Sequence, residues 1–206
     1  MVGRALEILF TRVWTVVKLT LIFWLLSICG GFIFGIGPAL KVITEQYMAH
    51  GFDWKSISWK ESFKMFKADF WKANALFLIT LFFFLLLSYS LFLSVQIKGL
   101  IFFIIDFMLI FAIFILFVAY EYALIIGSQY RIELINLVKM SIISCFSSFS
   151  TFWKMTIGSF CILVLTWQFK GLILFGIVGL MQIYNAHVTK KWRNKIDEKL
   201  DSDSLT

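Results

Sequence analysis

Charge is scarce in this chain. Asp, Glu, Lys and Arg together make up 15% of its 206 residues, against about 25% in an ordinary soluble protein. A water-soluble fold of this length must cover its surface with polar groups, and too few are present to do so. Proline occurs once, at Pro38, so little interrupts helix formation. The three cysteines, Cys29, Cys145 and Cys161, are odd in number, widely spaced and set in apolar sequence. They read as small apolar packing residues and not as a disulfide framework or a metal site. The two histidines, His50 and His187, lie far apart in the sequence, and no metal or other cofactor is expected. The patterns G-x-x-x-x-G-K-[ST], H-E-x-x-H, G-x-S-x-G and C-x-x-C are absent. So is the E-A-A…G segment with which ABC permeases dock their ATPases. Neither an enzyme nor a complete ABC permease is expected.

What fills the chain is apolar: 61% of the residues are hydrophobic and 25 are Phe. A helix rises about 1.5 Å per residue, so some twenty apolar residues span a hydrocarbon layer of roughly 30 Å. Five runs approach that length, at 19–40, 73–97, 99–120, 150–169 and 171–189. The fourth is free of charge only from residue 155, and reaches full length if Lys154 snorkels to the interface; otherwise the fourth and fifth form a re-entrant hairpin. The first ends in Gly35-Ile36-Gly37-Pro38 and lacks a small-x-small cleavage pattern, so it is expected to stay in the mature protein. The expected fold is an all-α integral membrane protein, one domain over 1–206, with about five transmembrane helices.

Lys and Arg placement sets the expected orientation. Fourteen basic residues fall between runs one and two, between runs three and four, and in the tail at 190–206, against five elsewhere. The bacterial cytoplasmic membrane is the expected location, with the amino terminus outside and the tail in the cytoplasm. Arg4 and Arg12 oppose that arrangement. The net charge of +7 sits where anionic lipid head groups would meet it, so the bilayer and not nucleic acid is the expected partner. Two amphipathic interfacial helices are expected, at 56–72 and 132–150. In the first, Trp59, Phe63, Phe66 and Phe70 share a face opposite Lys60, Lys64 and Lys67, as in a helix lying among lipid or on a partner.

Asp106 lies seven residues past Gly99, about 10 Å into the membrane on a helical rise. An intramembrane carboxylate is a functional candidate by default, here on a substrate path. The plainer reading has Tyr89, Gln96 or Gln168 hydrogen-bonded to it to fix helix packing. Gln96-Ile97-Lys98-Gly99-Leu100-Ile101 and Gln168-Phe169-Lys170-Gly171-Leu172-Ile173 hint at a duplication, but the counterpart of Asp106 is then Val178. Gly35, Gly37 and Pro38 form either a helix break beside a substrate path or a close helix crossing followed by a turn. Glu121, between Tyr120 and Tyr122, reads as an ordinary interfacial acid with ring anchors.

The segment Gly35-Ile36-Gly37-Pro38-Ala39-Leu40 and the aromatic and lysine segment Phe63 to Ala73 resemble the YesL family, over roughly residues 5–195. The chain departs from the family pattern at Leu40-Lys41, where small residues are expected. The family comprises small bacterial membrane proteins of undetermined molecular function, whose genes commonly lie beside carbohydrate ABC importers. The resemblance implies an accessory protein for carbohydrate uptake, contacting importer subunits or the lipid around them. A small solute transporter, working alone or as a homo-oligomer, is the alternative, and a membrane-embedded enzyme has the least support.

Overall fold

The computed structural model describes residues 2–130 and 132–204; Arg131 and the last two residues of the basic tail lie outside the described residues. The described residues form nine α-helices and no strand. They are α1 (Val2–Cys29), α2 (Ile33–His50), α3 (Trp59–Ala68), α4 (Phe70–Ser94), α5 (Leu100–Gln129), α6 (Leu134–Ser147), α7 (Phe149–Gln168), α8 (Gly171–Phe175) and α9 (Ile177–Ser204). Four stretches, Leu6–Cys29, Phe70–Ser94, Leu100–Gln129 and Phe149–Gln168, are long and apolar enough to cross a bilayer. The protein is an all-α, multi-pass membrane protein.

The first apolar run, 19–40, is not one helix. It breaks at Gly30, Gly31 and Phe32, where Gly31 (φ 77°) and Phe32 (φ 63°) turn the backbone left-handed. The chain then reverses. At the turn, Gly35 abuts the Ser27 backbone. At the far end Lys18 Nζ donates to Trp54 O at 2.7 Å, and Thr15 Oγ1 lies 3.0 Å from Phe52 O and 2.8 Å from Thr11 O, its single proton serving one of them at a time. α1 and α2 therefore form an antiparallel hairpin, and α1 begins well before residue 19, with the two charges nearest the apolar run partnered by rings: Arg12 lies over Phe52 and Lys18 over Trp54. The expected break at Gly35, Gly37 and Pro38 does not occur, since all three are buried inside α2. Their small size serves a close crossing. A Cβ on Gly35 would lie 2.6 Å from Ser27 Cα, and one on Gly37 would lie 2.9 Å from Ala73 O of α4.

The fifth run, 171–189, is divided at Gly176 into the five-residue α8 and the long α9. α9 runs antiparallel to α1, with Ile173 O accepting from Trp24 Nε1 at 3.3 Å and Gly179 N donating to Thr20 Oγ1 at 3.0 Å. Helix formation continues to Ser204, past the charge at Lys190. The expected interfacial helices are shorter than 56–72 and 132–150. α3 stops at Asp69, where α4 begins in a new direction, and α6 spans Leu134–Ser147.

Two apolar clusters hold the bundle together. Leu19, Ile22, Leu26, Val42, Ile43 and Phe66 join α1, α2 and α3, and Ile183 of α9 packs with them. Val118, Tyr122, Ile126, Met155 and Trp192 join α5, α7 and the later part of α9. α9 thus belongs to both. By contrast α4 and α5 carry most of their apolar surface outward: 6% of the most apolar stretch of each is buried, against 33% in α1.

Candidate functional site

Between the two clusters lies a set of buried polar side chains. Glu121 of α5 is 3% exposed. Ala119, Ala123 and Gly127 keep this part of α5 slim, so neighbouring helices approach closely. Gln182 Nε2 of α9 donates to both carboxylate oxygens of Glu121, at 3.2 and 3.1 Å. Thr44 Oγ1 of α2 lies 2.9 Å from Gln182 Oε1 and 2.8 Å from Leu40 O, and its single proton serves one of them at a time. One helical turn along α9, Asn185 accepts from Ser159 Oγ of α7 at 3.4 Å, while its Nδ2 has no partner. Gln46 Oε1, also buried, has none either.

No Lys, Arg or His side chain bonds to Glu121 among the described residues. The carboxyl group is held by the neutral Gln182 amide, among oxygen acceptors on α2, α5 and α9. A site of this kind can hold a proton or a small cation inside the membrane domain. It offers no nucleophile paired with a base.

A second feature lies nearby. A cavity of about 640 Å³ is bounded by α2, the start of α4, the end of α5 and α6. Lys41 Nζ on its wall is 2.5 Å from Asp69 Oδ2 and 4.0 Å from Glu45 Oε1. Ala123 and Leu124, adjacent to Glu121 in α5, form part of the inner wall.

The side chains expected around Asp106 are not brought together. Tyr89 is exposed, Gln96 Nε2 bonds the Phe92 carbonyl of its own helix at 3.1 Å, and Gln168 is exposed at the end of α7. The packing role expected of these three is therefore not realised, because Tyr89 and Gln168 are exposed and Gln96 bonds its own turn. Asp106 is half-buried, and its Oδ1 is shielded and without a partner. The ring stripe on α3 also divides. Phe66 is 5% exposed and packs under Gly30, and Phe70 packs against the same cluster. Trp59 and Phe63 stay exposed beside Lys60, Lys64 and Lys67, with Lys67 Nζ over the Phe63 ring at 4.7 Å. A ten-residue helix on the α1–α2 hairpin buries Ser62 and Phe66 on its inner face, so the stripe cannot face lipid as a whole.

Glu121 was visible in the sequence as an interfacial acid, but its burial was not. Gln182, Asn185 and Thr189 recur at helical spacing in an apolar run, which is the signal that marks a polar face turned inward. No group of three or more His, Cys, Asp or Glu side chains that could hold a metal occurs among the described residues.

No curated protein and no solved structure matches the chain. A family model described as "Protein of unknown function, DUF624" matches residues 16–91. That stretch covers the later part of α1, all of α2 and α3, and most of α4, including both segments from Gly35 and from Phe63, while Glu121 and Gln182 lie beyond it. Over those residues the chain is similar to a family whose function is unknown.

Proposed function

We propose that the protein is a non-catalytic accessory subunit for carbohydrate uptake in the bacterial cytoplasmic membrane, docking through the α4–α5 hairpin onto the transmembrane helices of an ABC importer. The observation that carries the docking is Asp106. It sits on the least covered hairpin of the molecule, with one carboxylate oxygen shielded and unpartnered. The residue is half-buried and not enclosed, so a membrane helix bearing Lys, Arg or an amide donor meets the carboxylate at its uncovered edge, where lipid chains offer no donor. The carbohydrate assignment rests on the YesL resemblance. Co-purification from native membranes in mild detergent, with the inducing sugar present, is the test. Importer subunits recovered with the wild type and lost with Asp106→Leu support the reading; their absence from the wild-type eluate overturns it, and recovery of a second copy alone assigns the hairpin to a homo-oligomer.

In this reading both ends face the cytoplasm. The antiparallel α1–α2 hairpin and the opposed directions of α1 and α9 support six passes, with α2 and α9 crossing in the shelter of the more apolar helices. Arg4, Arg12 and Lys18 then join the cytoplasmic set, leaving Lys98 and Lys170 as the basic residues outside. Reporters fused in turn to each end decide this: an amino-terminal fusion active only outside the cell would restore an odd number of passes.

The buried set around Glu121 favours a second reading, a small transporter that holds a proton or cation there. Uptake by proteoliposomes containing this protein alone, abolished in Glu121→Gln, would establish it.

A further inference from the structure

The 640 Å³ cavity has a sorted wall. At its outer end stand, among the described residues, Lys41, Glu45, Asp69, Lys72 and Glu133, two cations and three anions. About 5 to 10 Å further along the same helices, on a rise of about 1.5 Å per residue, the wall turns to Leu76 on α4, Ala123 on α5 and Leu137 on α6. Such a lining asks for a ligand with charge at one end and hydrocarbon at the other. Its size falls within the range of about 300–1,000 Å³ typical of small-molecule sites.

The charges narrow the head group. Lys41 is already neutralised by Asp69 and Glu45. Lys72 and Glu133, both exposed at the mouth, make no ion pair among the described residues. A ligand that brought only an anion would meet Lys72 but also Glu133, and one that brought only a cation would meet the reverse. A head carrying both signs meets neither conflict. Sugars fit the wall poorly, since Tyr130 is its only ring among the described residues and the inner end is aliphatic.

We infer that this cavity is a binding site for a zwitterionic membrane phospholipid of the phosphoethanolamine type. Lys72 receives the phosphate, Glu133 the ammonium group, and one acyl chain lies along Leu76 and Leu137. The bilayer supplies it directly, because the cavity opens where the apolar spans of α4 and α5 begin and end. The inference does not depend on the accessory role above, since it concerns the isolated chain.

Native mass spectrometry of the purified protein in mild detergent, titrated with phosphatidylethanolamine, phosphatidylglycerol or inorganic phosphate, tests it. Phosphatidylethanolamine adducts are expected at concentrations at least tenfold below those needed for phosphatidylglycerol, with no retained inorganic phosphate. Lys72→Ala and Leu137→Trp, which fills the chain end, should each weaken the preferred lipid about tenfold, while Lys98→Ala, in the turn beyond the far end of α4, leaves it unchanged. If Leu137→Trp fails to fold, exposed Lys72→Ala and Glu133→Gln still decide. Equal or tighter binding of phosphatidylglycerol, retention of bare phosphate, or phosphatidylethanolamine binding that is absent or indifferent to Lys72→Ala and Glu133→Gln overturns the assignment.

Discussion

Gly35 and Gly171 are both glycines of a membrane chain, but only one has its size dictated by a neighbour. A Cβ at Gly35 would lie 2.6 Å from Ser27 Cα, whereas nothing lies within 4 Å of one at Gly171. The obstacle at Gly35 is backbone, so relief requires α2 to move off α1. Gly35→Ala should cost about 1–3 kcal/mol, the usual range for forced overpacking, and Gly171→Ala less than about 0.5 kcal/mol. Thermal unfolding in detergent compares them, and equal midpoints would contradict the close crossing. The Glu121 site makes a similar contrast. Glu121→Leu strands the Gln182 amide in a buried place, at about 1–3 kcal/mol. Glu121→Gln keeps a carbonyl oxygen to accept from Gln182, and should lose less. A Gln variant no more stable than the Leu variant would rule out that bond.

At the scale of elements, α9 shows that the end of a membrane run and the end of a helix are different events. Charge at Lys190 and Lys191 closes the apolar run, yet the helix continues to Ser204 because Lys, Arg and Glu are good helix formers. The extension is tied down. Trp192 packs edge-on against Tyr122 with ring centroids 5.0 Å apart, Arg193 donates to Ala186 O at 2.9 Å and to Gln129 Oε1 at 3.3 Å, and the Tyr130 hydroxyl donates to Asp197. Burial and the Asp197 carboxylate push the Tyr130 phenol up to about 12 from its ordinary 10.0. A raised pKa stabilises the neutral, donating form, so this tie is fully present below pH 10 and is lost as pH rises through about 12. Limited proteolysis of the tail should therefore accelerate over that interval in the wild type. Tyr130→Phe should show faster cleavage already at neutral pH and no such step. A wild type with no step in that window would mean the hydroxyl does not hold the tail.

For the whole molecule, hydropathy made α4, α7 and the start of α5 legible to within a few residues, because their apolar runs are long and bounded by Lys or by turns, but α5 continues past Glu121 to Gln129, beyond the end expected at 120. It could not see the reversal at Gly30 to Phe32. That turn carries no charge, and a hydropathy window reads the two sides as one segment. Nor could it see the Glu121 site, whose partners Gln182 and Thr44 come from helices far away in sequence, with 61 positions from Glu121 to Gln182 and 138 from Thr44 to Gln182. Asp106 was the reverse case: conspicuous in sequence, and left by the fold with its Oδ1 unpartnered among the described residues. These two acids separate folding from assembly. Asp106→Leu removes an unsatisfied oxygen from apolar surroundings, so the isolated protein in detergent should be as stable as the wild type or more so, by up to about 1–3 kcal/mol. In native membranes the same variant should lose the importer partner proposed for the α4–α5 hairpin. Glu121→Leu should lower the stability of the isolated protein first, because its bonds are internal. If Asp106→Leu instead unfolds the isolated chain, then a contact within the chain holds that carboxylate, and the α4–α5 face loses its claim to a partner.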